Sequence, residues 1–378
     1  MTSTDSRTGF ADHEGWNPQG VPSDGRTGLA GLEGWSRHGV PSNRSTEEGV
    51  LREGTTMPST TERRPAHDPV MLAEIVDTLA PALDKPGARI VDVTLGLGGH
   101  SAALLAAARP DATLLGLDRD PQALALAGRN LAAFGDRAIP RHARFSDLAR
   151  VLDELGWDSV DAILADLGVS SMQLDEAERG FSFQRDGELD MRMDPTRGES
   201  AADLLGRLTQ GELAELLRDL GEEPEARRIA RALCRDGGEG RPRTTAALRA
   251  AIVRAVGGRA NRRHDPATLT FQALRIAVND ELGELESLLA LVPERLARGG
   301  RAAVLAYHSL EDRIVKQHFR GWSARCVCPP ELPICRCGGK ARAVRLTSGA
   351  ARPTAEETAR NPRARSARLR ALEWVDER

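Results

Sequence analysis

The sequence predicts an α/β protein in which an open parallel sheet carries an inserted all-helical domain behind a disordered N-terminal tail. Three observations predict it. The β-branched run Arg89–Val93 leads into a turn at Gly96, Gly98 and Gly99 and then into Ser101-Ala-Ala-Leu-Leu, a strong helix former. Strand-length apolar runs then alternate with helical ones as far as Asp166. From about residue 174 to 263 the alternation stops and only helical patterns remain, before it resumes.

The elements follow in order. Residues 1–66 are rich in Gly, Ser, Thr and Pro and contain a tandem repeat. Arg7-Thr-Gly-Phe-Ala-Asp-His-Glu-Gly-Trp16 with Gly20-Val-Pro-Ser23 recurs as Arg26-Thr-Gly-Leu-Ala-Gly-Leu-Glu-Gly-Trp35 with Gly39-Val-Pro-Ser42. Two copies of so polar a unit cannot bury a core, so a disordered tail is expected, with Met57 as a candidate alternative start. Folded structure is expected from residue 67: a helix over Leu72–Leu83, then the strand and glycine turn, whose N–H groups and helix N-terminus face a ligand. Thr113–Leu117 reads as a second strand ending in Asp118, placed to accept ribose hydroxyls. A helix through Phe134, a strand over Ala138–His142 with Phe145 at its exit, and a strand over Val160–Asp166 complete the first part, 67–173. Ala201–Leu208, Gln210–Leu220, Pro224–Leu233 and Thr245–Val256 are the expected helices of the insertion, 174–263. In the second part, 264–378, a helix over Leu285–Leu296 precedes a fifth strand, Gly299–Ala306, and Ala341–Leu346 and Ala367–Trp374 are the candidate last strands.

Gly96–Gly99, Asp118, Phe145 and Asp166 thereby fall at four successive strand ends, the edge where open α/β sheets bind ligands. The nicotinamide fingerprint needs a third glycine where Ser101 stands, which disfavours a dehydrogenase. Asp92 before the turn looks more like an S-adenosylmethionine methyltransferase. A glycine turn that only packs a helix on a sheet is the plain structural alternative.

Charge and cysteine usage bound the partners. The net charge of −3 hides two basic stretches: 12 Arg against 4 acids over 225–275, and 16 Lys and Arg against 8 acids over 301–378. Such clustering fits a polyanion, with Arg259, Arg262 and Arg263 among the candidates, whereas 3% aromatics leaves little for a base-stacking platform. Cytoplasmic location with no membrane partner is expected, because neither an apolar run of membrane length nor a signal-peptide pattern occurs. Cys326, Cys328, Cys335 and Cys337 form two C-x-C pairs in a short loop, 326–337. Four thiolates satisfy a structural zinc, while free thiols and a reversible disulfide stay open beside it.

Seven motifs stand in order: Gly98-Gly-His-Ser101, Asp166-Leu-Gly-Val-Ser-Ser171, Glu178-Arg-Gly-Phe-Ser-Phe183, Leu189-Asp-Met-Arg-Met-Asp-Pro195, Thr270-Phe-Gln-Ala-Leu-Arg275, Tyr307-His-Ser-Leu-Glu-Asp-Arg313 and Asn361-Pro-Arg-Ala-Arg-Ser366. From about residue 67 onward the chain closely resembles the bacterial ribosomal RNA small-subunit methyltransferase H (MraW-like) family. The resemblance implies a Rossmann-like S-adenosylmethionine-dependent methyltransferase that modifies N4 of a cytidine in the decoding region of 16S rRNA. It implies small-subunit RNA, not DNA, as partner, and a cofactor site at Gly98, Gly99, His100, Asp118, Phe145, Asp166 and Gln173. His100 and Gln173 enter through the resemblance alone.

Asp166, and with it Ser170, are the candidate catalytic groups, because acceptors after strand four would lie beside a target amine; a helix-capping role is the alternative for both. His308 is open between a catalytic, an RNA-binding and a structural role. Asp190, Arg192 and Asp194 are expected to form an ion-pair turn. The competing class is a non-catalytic RNA-binding assembly protein with a vestigial cofactor fold. The sequence fixes no oligomeric state.

Overall fold

Alternating side chains sort the strands between two apolar layers. The computed structural model describes residues 69–235, 240–257, 265–326 and 339–376, with 328, 332, 334 and 336 between the last two segments. Val91, Leu115, Leu117, Ile163 and Val304 enter one core, while Ile90, Leu114, Leu164, Ala303 and Leu305 enter the other. A strand apolar at every position must be covered on both faces, and helices supply both covers. Helices Leu148–Glu154, Glu281–Arg295 and Ser309–Ser323 pack on the first face; Leu72–Leu83 and Gly99–Ala107 pack on the second.

The sheet comprises β1 (Arg89–Asp92), β2 (Thr113–Asp118), β3 (Ala138–His142), β4 (Val160–Asp166), β5 (Leu296–Ala306), β6 (Ala343–Arg345) and β7 (Arg368–Trp374). Their order is β3-β2-β1-β4-β5-β7-β6. Strands β1 to β5 are parallel, but β7 lies antiparallel between β5 and β6. The parallel sheet expected from the sequence spans β1 to β5; β6 runs the same way after helix Ser309–Ser323, and only β7, inserted between β5 and β6, is reversed. Strand order reverses between β1 and β4, so the crevice lies outside the carboxyl ends of those strands.

The stretch between β4 and β5 builds a third core. Helices Ala201–Arg207, Gln210–Gly221, Ala226–Leu233, Thr245–Val256 and Thr268–Asn279 bury Leu205, Leu213, Leu217, Ile229, Leu248 and Leu274 together. Local signals fix their starts. Ser200 with Asp203, and Thr209 with Glu212, form reciprocal capping boxes. The boundary expected at 263/264 cuts this core, since Ala267, Phe271, Ala273 and Leu274 pack in it and Phe271 meets Phe183 edge-on at 4.9 Å. Helix Thr268–Asn279 therefore packs with the insertion. The helix expected over 285–296 runs from Glu281 to Arg295, and β5 begins at Leu296 rather than at Gly299. The proposed tail, residues 1–66, lies outside the described residues, as do Arg259, Arg262 and Arg263.

Candidate active site

The turn after β1 is organised by one buried carboxylate. Asp92 accepts from Thr94 N (3.0 Å) and Thr94 Oγ1 (3.2 Å) at Oδ1, and from Ser101 Oγ (2.7 Å) at Oδ2. Burial raises its pKa, against the pull of those bonds. Ser101 thus occupies the third position of the glycine fingerprint in order to hold Asp92. The Thr94 hydroxyl also accepts from Asp166 N at 2.6 Å, which links the β1 turn to the end of β4.

Gly98 and Gly99 are required sterically. Gly98 has φ +82°, and a Cβ there would meet Leu131 Cγ at 3.1 Å; one on Gly99 would meet Pro69 Cγ at 2.5 Å. Gly98 caps helix Gly99–Ala107 with no side-chain hydrogen bond, so no cap side chain competes for the first-turn N–H groups of that helix. His100 is buried, and its Nε2 donates to Val70 O at 2.9 Å, since a carbonyl can only accept. Its Nδ1 stands 3.6 Å from Asp166 Oδ2.

At the end of β2, Asp118 accepts from Gly96 N and Asp120 N, both at 2.8 Å. Burial pushes its pKa up to about 6 in spite of those two bonds. Each oxygen keeps a lone pair, so acceptor capacity for a diol remains. Asp120, two residues on, accepts from Gln173 Nε2 (2.9 Å) and Arg179 Nη2 (2.9 Å). Gln173 Oε1 accepts from Ser170 N at 3.0 Å, and Ser170 Oγ accepts from Gln173 N at 3.2 Å. Ser170 is therefore the cap of helix Ser171–Asp175. Phe145 is half-buried at the β3 exit, with the Arg119 guanidinium 5.8 Å from its ring centre.

The rim at β4 and β5 carries groups of another kind. Tyr307, the chain's single tyrosine, donates its hydroxyl to Asp166 Oδ1 at 2.7 Å. Burial, and then the carboxylate itself, raise the phenol's pKa, so it stays a neutral donor. His308 follows, its side chain 9% exposed and its Nε2 3.1 Å from Glu311 Oε1. Glu281, His308 and Glu311 bring ligand-type atoms within 4.8 Å of one another. Arg275, however, takes both Glu281 oxygens at 2.7 and 2.8 Å, so a guanidinium already supplies the positive charge a metal would bring.

Several closures were not read from the sequence. Arg119 Nη1 donates to Asn279 O (2.7 Å), and Asn279 holds the 191–193 backbone through Met191 O (2.7 Å) and Met193 N (2.8 Å). Arg192 pairs bidentately with Asp190 at 2.8 and 2.7 Å, as expected of an ion-pair turn, whereas Asp194 turns to His142 Nε2 at 3.3 Å. Thr94, Arg119 and Asn279 gave no signal beyond ordinary polar residues, and Arg179 stood out only as part of the Glu178–Phe183 motif; their long-range partners distinguish them. Cys326 is exposed and Cys328 half-buried, while Cys335 and Cys337 lie outside the described residues, as does any four-thiol arrangement.

A switch-point crevice under a glycine turn, with carboxylates ending β1, β2 and β4 and an antiparallel β7 beside β5, defines a Rossmann-like S-adenosylmethionine-dependent methyltransferase. The MraW methylase family matches residues 64–375, and the chain belongs to that family. A ribosomal RNA small subunit methyltransferase H of Anaeromyxobacter dehalogenans is 52% identical over 308 residues, covering 81% of this chain and 97% of its own. The protein of that name from Nitratidesulfovibrio vulgaris (strain DP4) is 50% identical over 312 residues, covering 82% and 96%. That from Thermomicrobium roseum is 49% identical over 309 residues, covering 82% and 94%. Among the described residues no helix is long and apolar enough to cross a membrane.

Proposed function

We propose that this protein methylates N4 of a cytidine in the decoding region of 16S rRNA, within the small ribosomal subunit, using S-adenosylmethionine. The relatives that carry the rRNA methyltransferase name support the substrate class. The single observation that carries the chemistry is Asp166: a carboxylate at the end of β4, held at one oxygen by Tyr307 and facing the glycine turn across His100. Gly98, Gly99, His100, Asp118, Phe145, Asp166 and Gln173 are the proposed cofactor contacts.

The cofactor supplies an electrophilic methyl group on a good leaving group, so the chain's part is positioning and electrostatics. The exocyclic amine of cytidine is a poor nucleophile because its lone pair is delocalised into the ring. An acceptor aimed at one N–H localises that pair. An oxygen of the Asp166 carboxylate is the proposed acceptor, and the bond from Tyr307 at Oδ1 supports this reading by helping to fix the carboxylate plane. The same oxygen takes the proton that N4 releases once it is methylated. Ser170 Oγ is tied to Gln173 N as a cap but keeps its own proton to give to the base. The base must leave any stack to reach this crevice.

The deciding experiment is nucleoside mass spectrometry of 16S rRNA from a deletion strain, before and after treatment of its small subunits with purified protein and cofactor. N4-methylcytidine should be missing at first and restored by the protein. Restoration of a different modified nucleoside, or of none, overturns the proposal.

A further inference from the structure

Away from the crevice, helix Ser309–Ser323, the edge strand β6 and the turn after it enclose a groove of two adjoining cavities, about 330 and 290 Å³. Both cavities share Arg345, Thr347 and Ser348; Arg325 closes one end, Lys316 and Arg320 the other. The four cations Lys316, Arg320, Arg325 and Arg345 are exposed, and none is ion-paired with a described residue. Among the described residues no acidic side chain lines either cavity. Asp312, which pairs with the lining Arg370 (2.7 Å), is shared with Arg368 (3.1 Å), so the described groove wall keeps a surplus of positive charge. Lys316 and Arg320 are one helical turn apart and face the same way. Like charges gathered so closely, with hydroxyls between them, suit a ligand that presents several anionic oxygens in a row.

Resting on the rRNA reading above, we infer that this groove holds consecutive phosphates of the RNA strand that flanks the target nucleotide. The route from site to groove is short. Helix Ser309–Ser323 begins immediately after the crevice residues Tyr307 and His308. Lys316 and Arg320 then lie roughly 10 and 16 Å along its axis at 1.5 Å per residue. From the other side, Arg345 stands opposite Leu372, and the chain returns at Ala351 opposite Leu369, which itself pairs with Leu305 beside the crevice. Among the described residues the groove contains no exposed aromatic for stacking. Its contribution is register along the backbone, not base reading.

The test uses the full chain with Lys316→Glu and Arg345→Glu together, and Lys316→Gln with Arg345→Gln as a milder pair should the first misfold. Binding of a fluorescent RNA carrying the target segment is measured by anisotropy at several salt concentrations, beside calorimetry with S-adenosylhomocysteine and a methyl-transfer assay. The reversal pair should weaken RNA binding at least tenfold. The slope of log K against log salt should fall by about 1.4 or more, at about 0.7 for each lost phosphate contact on a single strand. Cofactor affinity should not change, and the methylation defect should appear in KM for RNA. Unchanged RNA affinity and slope in both pairs would overturn the groove while leaving the rRNA reading intact. Wild-type protein that binds the RNA through the groove but never methylates it would instead overturn the rRNA reading. Binding of phosphatidylserine vesicles in preference to the RNA, lost in the variants, would reassign the groove to a membrane surface and overturn the inference.

Discussion

The two halves of the crevice rim are built differently. On the β1–β2 side the decisive bonds are local: Ser101 to Asp92 spans nine residues, and Gly96 to Asp118 spans 22. On the β4–β5 side they are distant: Tyr307 to Asp166 spans 141 residues, Ser309 to Glu222 spans 87, and the Arg119–Asn279 bond that joins the two sides spans 160. The first half is a backbone device, in which carboxylates and glycines shape a turn. The second is a side-chain device, assembled only when β5 and the helical insertion have docked. Under the proposed function the first half carries most of the cofactor contacts, while the second adds Asp166 and Gln173 to them and also receives the target base, so substitutions in each should weigh differently on cofactor affinity and turnover.

The largest effect is expected from Asp166→Asn. Asparagine keeps the shape and can still accept from Tyr307, but it cannot take the proton from N4. Turnover should fall by about 10²–10³, the usual loss when one preorganised electrostatic group is removed. Affinity for S-adenosylhomocysteine should change by less than tenfold. If calorimetry shows the reverse, a collapsed cofactor affinity with normal turnover once saturated, Asp166 belongs with the backbone half and the division proposed here is wrong.

Asp118→Ala should do the opposite. A ribose diol loses a charged acceptor, and hydrogen bonds to charged groups contribute about 1.5–3 kcal/mol each, so cofactor affinity should fall at least tenfold. The pH dependence sharpens the assignment. Folding raises this carboxyl from 3.8 to about 6, so the associated stability is fully present below the unfolded value and is lost as pH rises through about 6. Cofactor affinity should run the other way, because a diol donates best to the ionised form: it should weaken as pH drops below about 6. A flat affinity between pH 5 and 8, together with an unaltered Asp118→Ala variant, would remove Asp118 from the cofactor side.

Tyr307→Phe comes next. The ring keeps its packing and only the bond to Asp166 Oδ1 is lost. Turnover should drop several-fold to about tenfold, the size of one hydrogen bond to a charged group. KM for cofactor should stay constant. An equal loss in thermal stability and cofactor affinity, with normal turnover, would show that Tyr307 only packs.

The same contrast explains how much could be read in the sequence. Strand β4 and helix Thr245–Val256 coincide with their sequence expectations because apolar periodicity and capping residues are local. Asp118 and Asp166 stood out because a strand end positions its last residue whatever the rest of the chain does. The antiparallel β7 did not, since its direction is set by β5 and not by its own residues. Helix Thr268–Asn279 was misassigned to the sheet half because its amphipathic pattern says that it packs, not against what. Arg179 and Tyr307 stood in recognisable motifs, but what they and Asn279 hold became legible only once their distant partners were in place.

The smallest effect tests how the insertion is held to the side-chain half. Glu222 ends helix Gln210–Gly221 and accepts from Ser309 Oγ and from Arg313 Nη2 (2.7 Å). These bonds, the Ser309 contact first, hold its carboxyl below the usual range. The pair is exposed, so it should contribute no more than about 1 kcal/mol. Glu222 also has φ +50°, a left-handed conformation that costs a non-glycine residue roughly 1–2 kcal/mol. The two terms oppose each other. Glu222→Ala loses the clasp and keeps most of the strain, so it should be destabilised by up to about 1 kcal/mol. Glu222→Gly loses the same clasp but relieves the strain, and should unfold near the wild-type denaturant midpoint. Neither should alter turnover much, because the buried Arg275–Glu281 pair, with Glu311 beside it, joins the insertion to the sheet from within. If both variants lost turnover equally while keeping their stability, the exposed clasp, not the buried network, would be what sets the insertion against the crevice.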